Sequence, residues 1–144
     1  MSELAGLSDA AAKTLAVWHK AVEKRDASLL DDITSEAMVF RSPAVYSPYP
    51  GREAFRIVIE TVLTVFENFR YHRQFASSDG SSVVLEFEAD IGDRNLKGID
   101  MIRFDSDGKI VEFEVMVRPL SGLMALAEKM AERAGPKLQA ARVG

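Results

Sequence analysis

No cysteine occurs among the 144 residues, which excludes disulfides, thiolate nucleophiles and cysteine-ligated zinc or iron–sulfur centres. Histidine is almost as scarce: His19 and His72 stand far apart in sequence, an arrangement that argues against a histidine-built metal site. The expectation is a protein with no metal and no cofactor. No apolar run approaches the ~18 residues of a membrane span, and the opening MSELAGLSD has neither the basic nor the apolar region of a secretory signal. Eighteen Lys and Arg against 22 Asp and Glu give a formal charge of −4. With no basic cluster there is no electrostatic footprint for nucleic acid. These absences describe a cytoplasmic protein that binds neither nucleic acid nor membrane.

What is present is an ordinary globular composition, 47% hydrophobic and 28% charged, of a length that suits one domain. That domain is read as residues 1–144, with an ordered core at about 8–135. Ser8 is a good N-cap for a helix carrying Leu15, Trp18 and Val22, and Asp26 caps a second, short helix through Leu29, Leu30 and Ile33. AMVFRSPAVYSPYPG then reads as a strand broken into a loop by Pro43, Pro48 and Pro50. From Arg52, a third helix places Phe55, Val58, Ile59, Val62, Leu63 and Phe66 at helical spacing.

Beyond it the period changes to two. Residues 69–76, 82–91, 96–104 and 109–118 alternate, and the Asp-Gly pairs at 79–80 and 107–108 are hairpin turns. PLSGLMALAEKMAERAGPK predicts a final amphipathic helix, with Leu123, Leu126, Ala127 and Met130 inward, stopped at Gly135-Pro136. Helices followed by an antiparallel meander give an α+β fold with the helices on one face of the sheet. Alternation puts Val111, Phe113, Val115 and Val117 on one side of the last strand, and Glu112, Glu114, Met116 and Arg118 on the other. His72 shares a face with Arg70 and Gln74, opposite Glu86 or Glu88, and His19 falls at the helix rim; neither is read as catalytic.

Asp100 is the residue that stands out. In KGIDMIRF it shares a strand face with Ile102 and Phe104, so it points where they point. A carboxyl among apolar neighbours has its charged form disfavoured and its pKa raised, which suits a general acid or base near neutrality. The alternative is a buried structural acid satisfied by Trp18 or a backbone N–H. The inward residues Phe55, Phe87, Ile102, Phe113 and Val115 then line the same interior as Trp18 and Ser42, with Tyr46 at its rim.

VFRSPAVYSPYPGREA, KGIDMIRFDSDGKI and VMVRPLSGL, with the GREAF opening of the third helix, resemble the nuclear transport factor 2-like superfamily. The nearest branches are the SnoaL-like polyketide cyclases and the ketosteroid isomerases. The resemblance implies a cone-shaped, cystatin-like fold: a curved antiparallel sheet with three N-terminal helices on its concave face and a C-terminal helix. It also implies a pocket for a small hydrophobic, carbonyl-bearing molecule, and a homodimer formed through the outer sheet face. Asp100 falls on the oxyanion-stabilising acid of the isomerases and on the proposed acid/base of the cyclases. Elsewhere the pattern departs from the isomerases, with Ser42 at the position of the catalytic base and Trp18 at that of a tyrosine donor. Val115 occupies the slot of a carboxylate in the superfamily's epoxide hydrolases. Two functions therefore stand side by side: an acid/base isomerase or cyclase using Asp100, or a non-catalytic small-molecule-binding or dimeric accessory protein.

Overall fold

The computed structural model describes residues 6–143, with side chains through residue 140; part of the N-terminal stretch read against a secretory signal, residues 1–5, lies outside them. Helix α1 spans Asp9–Lys24, and Ser8 caps it by accepting a hydrogen bond from the Ala11 N–H at 3.2 Å. Ala11, Thr14, Leu15, Trp18 and Ala21 form its buried stripe, the recurrence that a helix lying on a sheet requires. The predicted second helix is two 3₁₀ turns, Ala27–Leu29 and Asp31–Ile33, the first capped by Asp26. A segment this short closes single turns more readily than it nucleates an α-helix.

Strands β1 (Thr34–Arg41) and β2 (Tyr49–Pro50) precede helix α2 (Arg52–Val65), and β3 (Glu67–Ala76), β4 (Ser82–Ile91), β5 (Arg94–Phe104) and β6 (Ile110–Arg118) follow. Together they make one six-stranded curved sheet in the order β2-β1-β6-β5-β4-β3. The four predicted strands are its antiparallel meander. β1 adds to β6 in parallel, pairing Phe40 with Phe113, a long-range pairing invisible to local pattern. Both predicted Asp-Gly turns form, with Gly80 and Gly108 at φ of +75° and +81°. Gly108 is doubly constrained, because a Cβ there would meet the Ala10 carbonyl oxygen at 2.5 Å. The Thr14 hydroxyl donates to the Gly108 carbonyl, so α1 is seated directly on the β5–β6 turn.

Two bulges redirect side chains that strict alternation misplaces. Between Arg103–Glu112 and Phe104–Ile110 the register shifts by one. Ile110 therefore turns inward and is fully buried, while Val111 is only partly covered; the expectation for Val111 is corrected. On β3 the register shifts between Tyr71–Phe87 and Gln74–Leu85, so His72 and Arg73 both face outward and Gln74 turns in. His72 does pair with Glu88, at 2.6 Å.

Helix α3 runs Leu120–Val143 with Pro136 inside it, so Gly135-Pro136 is not a stop. Proline removes one helix hydrogen bond, but Leu138 beyond it packs against the core, and that burial offsets the loss. No helix among the described residues is long and apolar enough to cross a membrane.

Candidate functional site

The concave face of the sheet, α1, α2 and α3 enclose a cavity of about 610 Å³, within the range typical of small-molecule sites. Each helix contributes one stripe: Trp18, Val22 and Arg25 from α1 and its C-cap; Val58, Ile59, Val62 and Leu63 from α2; and Leu126, Ala127, Met130, Leu138 and Gln139 among the residues from α3. The C-terminal helix thus forms one wall of the cone. Phe87, Asp100, Phe113 and Val115 come from the sheet, and Ser42 to Val45 from the loop after β1. Gly98 shapes this floor as well. It pairs with Phe87 across β4–β5, and a Cβ on it would lie 2.6 Å from the Phe87 ring, so the missing side chain leaves the ring its space.

Asp100 is 6% exposed and is cross-strand neighbour to Leu85 and Val115. Burial pushes its pKa up to about 7, against a smaller lowering by one hydrogen bond. That bond comes from Tyr71, whose Oη donates to Asp100 Oδ2 at 2.6 Å, while Trp18 Nε1 donates to Tyr71 Oη at 2.9 Å. An indole N–H can only donate, so it fixes the sense of the chain: the Tyr71 proton is committed to Oδ2. Burial, then the adjacent Asp100, hold the Tyr71 hydroxyl well above its usual pKa. Oδ1 carries no hydrogen bond from the described residues, and Asp100 is part of the cavity wall.

The sequence-predicted residues divide into three groups. Trp18, Ser42, Phe87, Asp100, Phe113 and Val115 all border the cavity. Phe55 and Ile102 do not: both are sealed in the core beneath it, Phe55 against Trp18, Phe40 and Phe113. Tyr46 is fully exposed, because the proline-rich loop turns Pro43, Ala44 and Val45 to the cavity instead. Ser42 Oγ accepts from the Ala44 N–H at 3.1 Å, closing that turn. The alternative of a direct Trp18–Asp100 bond is replaced by the relay through Tyr71. Tyr71 is the residue the sequence reading missed. Its signal was its alternation with Phe69 on the inward face of FRYHRQF, obscured by the charged residues around it. His19 is also less peripheral than a rim position: its ring packs edge-on to Tyr71 with centroids 5.2 Å apart. Burial lowers its pKa, opposed by a hydrogen bond with Gln74.

Residues 15–113 match the profile of the SnoaL-like domain. The chain belongs to the SnoaL-like family. The SnoaL-like chain is 55% identical to a solved protein from Pseudomonas aeruginosa described as a steroid delta-isomerase, covering 95% of this chain and 99% of that one with a TM-score of 0.90. It is 33% identical to an uncharacterized bacterial protein with a cystatin-like fold from Silicibacter pomeroyi, over 83% and 84% of the two chains, with a TM-score of 0.78. SalBIII, an epoxide hydrolase/cyclase-like enzyme in pyran ring formation in salinomycin, shares the fold at 18% identity and a TM-score of 0.63, over 76% and 91%. No curated protein matches the chain.

Proposed function

We propose that this SnoaL-like protein holds a small, mostly apolar carbonyl compound in the cone and that Asp100 moves a proton on it, in an isomerisation or a ring closure. The observation that carries this reading is one buried carboxyl with a pKa near neutrality, set in a cavity wall that is otherwise largely apolar. At neutral pH both forms of Asp100 are populated. The carboxylate accepts a proton from a carbon next to the ligand carbonyl through Oδ1, and the acid returns it from the same atom. Tyr71, held by Trp18, steadies the carboxylate through Oδ2 without competing for the proton. The likeness to a protein described as a steroid delta-isomerase supports isomerisation as the reaction class.

A second reading, a binder without chemistry, draws support from the positions of Ser42 and Val115. Both border the cavity, yet neither supplies a second carboxylate. One experiment separates the two: turnover of a panel of Δ5-3-ketosteroids and enolisable polyketones by wild type and Asp100→Asn. Catalysis through Asp100 predicts a loss of about 10²- to 10⁴-fold, the usual contribution of one general acid or base. Equal rates in both proteins would remove Asp100 from the chemistry and leave the binder.

A further inference from the structure

Five cavity-wall residues are solvent-exposed and so form its rim: Arg25, Ala44, Val45, Ala131 and Gln139. Among the described residues of the wall, Arg25 is the one cation and, with Asp100, one of two charged residues. It also adopts φ of 53° at the left-handed C-cap of α1, a position where glycine is favoured because it has no Cβ. An arginine side chain is therefore kept there against a backbone cost. One nitrogen is accounted for, since Nη1 donates to the Leu63 carbonyl at 3.0 Å. No carboxylate pairs with Arg25 among the described residues. Asp26 and Glu60, which line a shallow surface pocket together with Arg25, are engaged elsewhere, Glu60 with Arg56 and Asp26 with Ser28. Arg25 thus brings a guanidinium with one nitrogen engaged to the wall of an apolar cavity, and a guanidinium offers the fork geometry that binds a carboxylate.

Building on the reading of the cone as a carbonyl-compound site, we infer that its ligand is an amphipathic acid: carbonyl at Asp100, apolar body along α1, and a carboxylate held by Arg25 at the mouth. Helix geometry sets the length. Trp18, Val22 and Arg25 recur at i, i+4 and i+7 on the wall, and seven residues rise roughly 10 Å. Trp18 reaches Asp100 through Tyr71, so carbonyl and carboxylate are separated by about that span, two fused rings or an equivalent chain.

The probes are 6-acetyl-2-naphthoic acid and its methyl ester, titrated against wild type, Arg25→Gln and Arg25→Lys, with thermal melts to show that each variant is folded. A charge-assisted bond predicts that wild type binds the acid about tenfold or more tightly than the ester. The ratio falls to about one in Arg25→Gln and is partly restored in Arg25→Lys, which keeps the charge but not the fork. Ester binding with no preference for the acid, or a preference that survives Arg25→Gln, overturns the assignment of Arg25 while leaving the apolar cavity site intact. Binding of neither probe to wild type overturns both.

Discussion

Asp100 on β5 and Glu86 on β4 occupy neighbouring rungs of one ladder, Leu85 pairing with Asp100 and Glu86 with Ile99. Both are nearly sealed, at 6% and 8% exposure, yet their pKa values move apart, to about 7 and to about 2. Glu86 faces the outer side of the sheet. There Arg73 donates to both of its oxygens, at 2.9 and 2.7 Å, and Lys97 lies 3.3 Å away. Hydrogen bonds from Arg73 lead the lowering of its pKa. Asp100 faces the cone, where its one bond comes from the neutral Tyr71 and no cation is within reach. A single register step thus exchanges a fully compensated charge for a carboxyl that is costly to ionise. The same sheet makes a salt-bridged outer face and a buried, hard-to-ionise acid by deciding which side carries the arginines.

The largest expected effect follows from that cost. An acid whose folded pKa lies above its unfolded value keeps its proton only in the folded state between the two, so stability falls as pH rises through that window. For Asp100 the window runs from 3.8 to about 7. The full difference corresponds to roughly 4 kcal/mol. Denaturant unfolding at pH 5 and pH 8 should show wild type losing stability toward pH 8, while Asp100→Asn, unable to ionise, loses much less. The variant should overtake wild type on the alkaline side. Parallel pH profiles for the two proteins would break the contrast, because they would mean that Asp100 ionises freely.

The contrast was half legible in the sequence. Alternation along β5 put Asp100 with Ile102 and Phe104, and all three are buried, because a strand with one face in the core has a strongly specified register. The helices of regular apolar period and the Asp-Gly turns were legible for the same reason: each is coded within a dozen residues. What was missed depends on bulges and long-range packing. The β3 bulge turns Gln74 inward and leaves Arg73 facing Glu86, and no local pattern marks the extra residue. Tyr71 becomes the partner of Asp100 only once β3, β5 and α1 have assembled, 29 and 53 residues apart in sequence. The continuation of α3 past Pro136 likewise rests on Leu138 finding the core.

A middle-sized effect isolates Tyr71. Its bond is the one influence that lowers the Asp100 pKa, so Tyr71→Phe removes support for the ionised form and should move the apparent pKa above about 7. The loss of a hydrogen bond to a charged group is worth about 1.5–3 kcal/mol, which sets an upper range because the carboxyl escapes part of the cost by staying protonated. Carboxyl titration followed by infrared difference spectroscopy, with Asp100→Asn as the blank, measures this directly. An unchanged or lowered pKa would show that the Trp18–Tyr71 relay does not tune the acid.

The smallest effect belongs to Glu86, and it carries the opposite sign. Its folded pKa lies below the unfolded value of 4.5, so its contribution is present above that value and is lost as pH falls from 4.5 toward about 2. Glu86→Gln can still accept bonds from Arg73, most of whose side chain is in solvent, where ion pairs are worth little. The variant should therefore be only slightly less stable than wild type near neutrality, lose less stability on acidification, and converge with wild type as pH falls toward about 2. Some acid sensitivity persists, because Asp79, bonded by Ser77 and Ser81, is also lowered to about 2. The slope between pH 4 and 7 that Asp100 creates should survive intact in Glu86→Gln. If that slope flattened as well, the two carboxylates would be coupled through the sheet. The separation of the outer ion pairs from the inner acid would then fail.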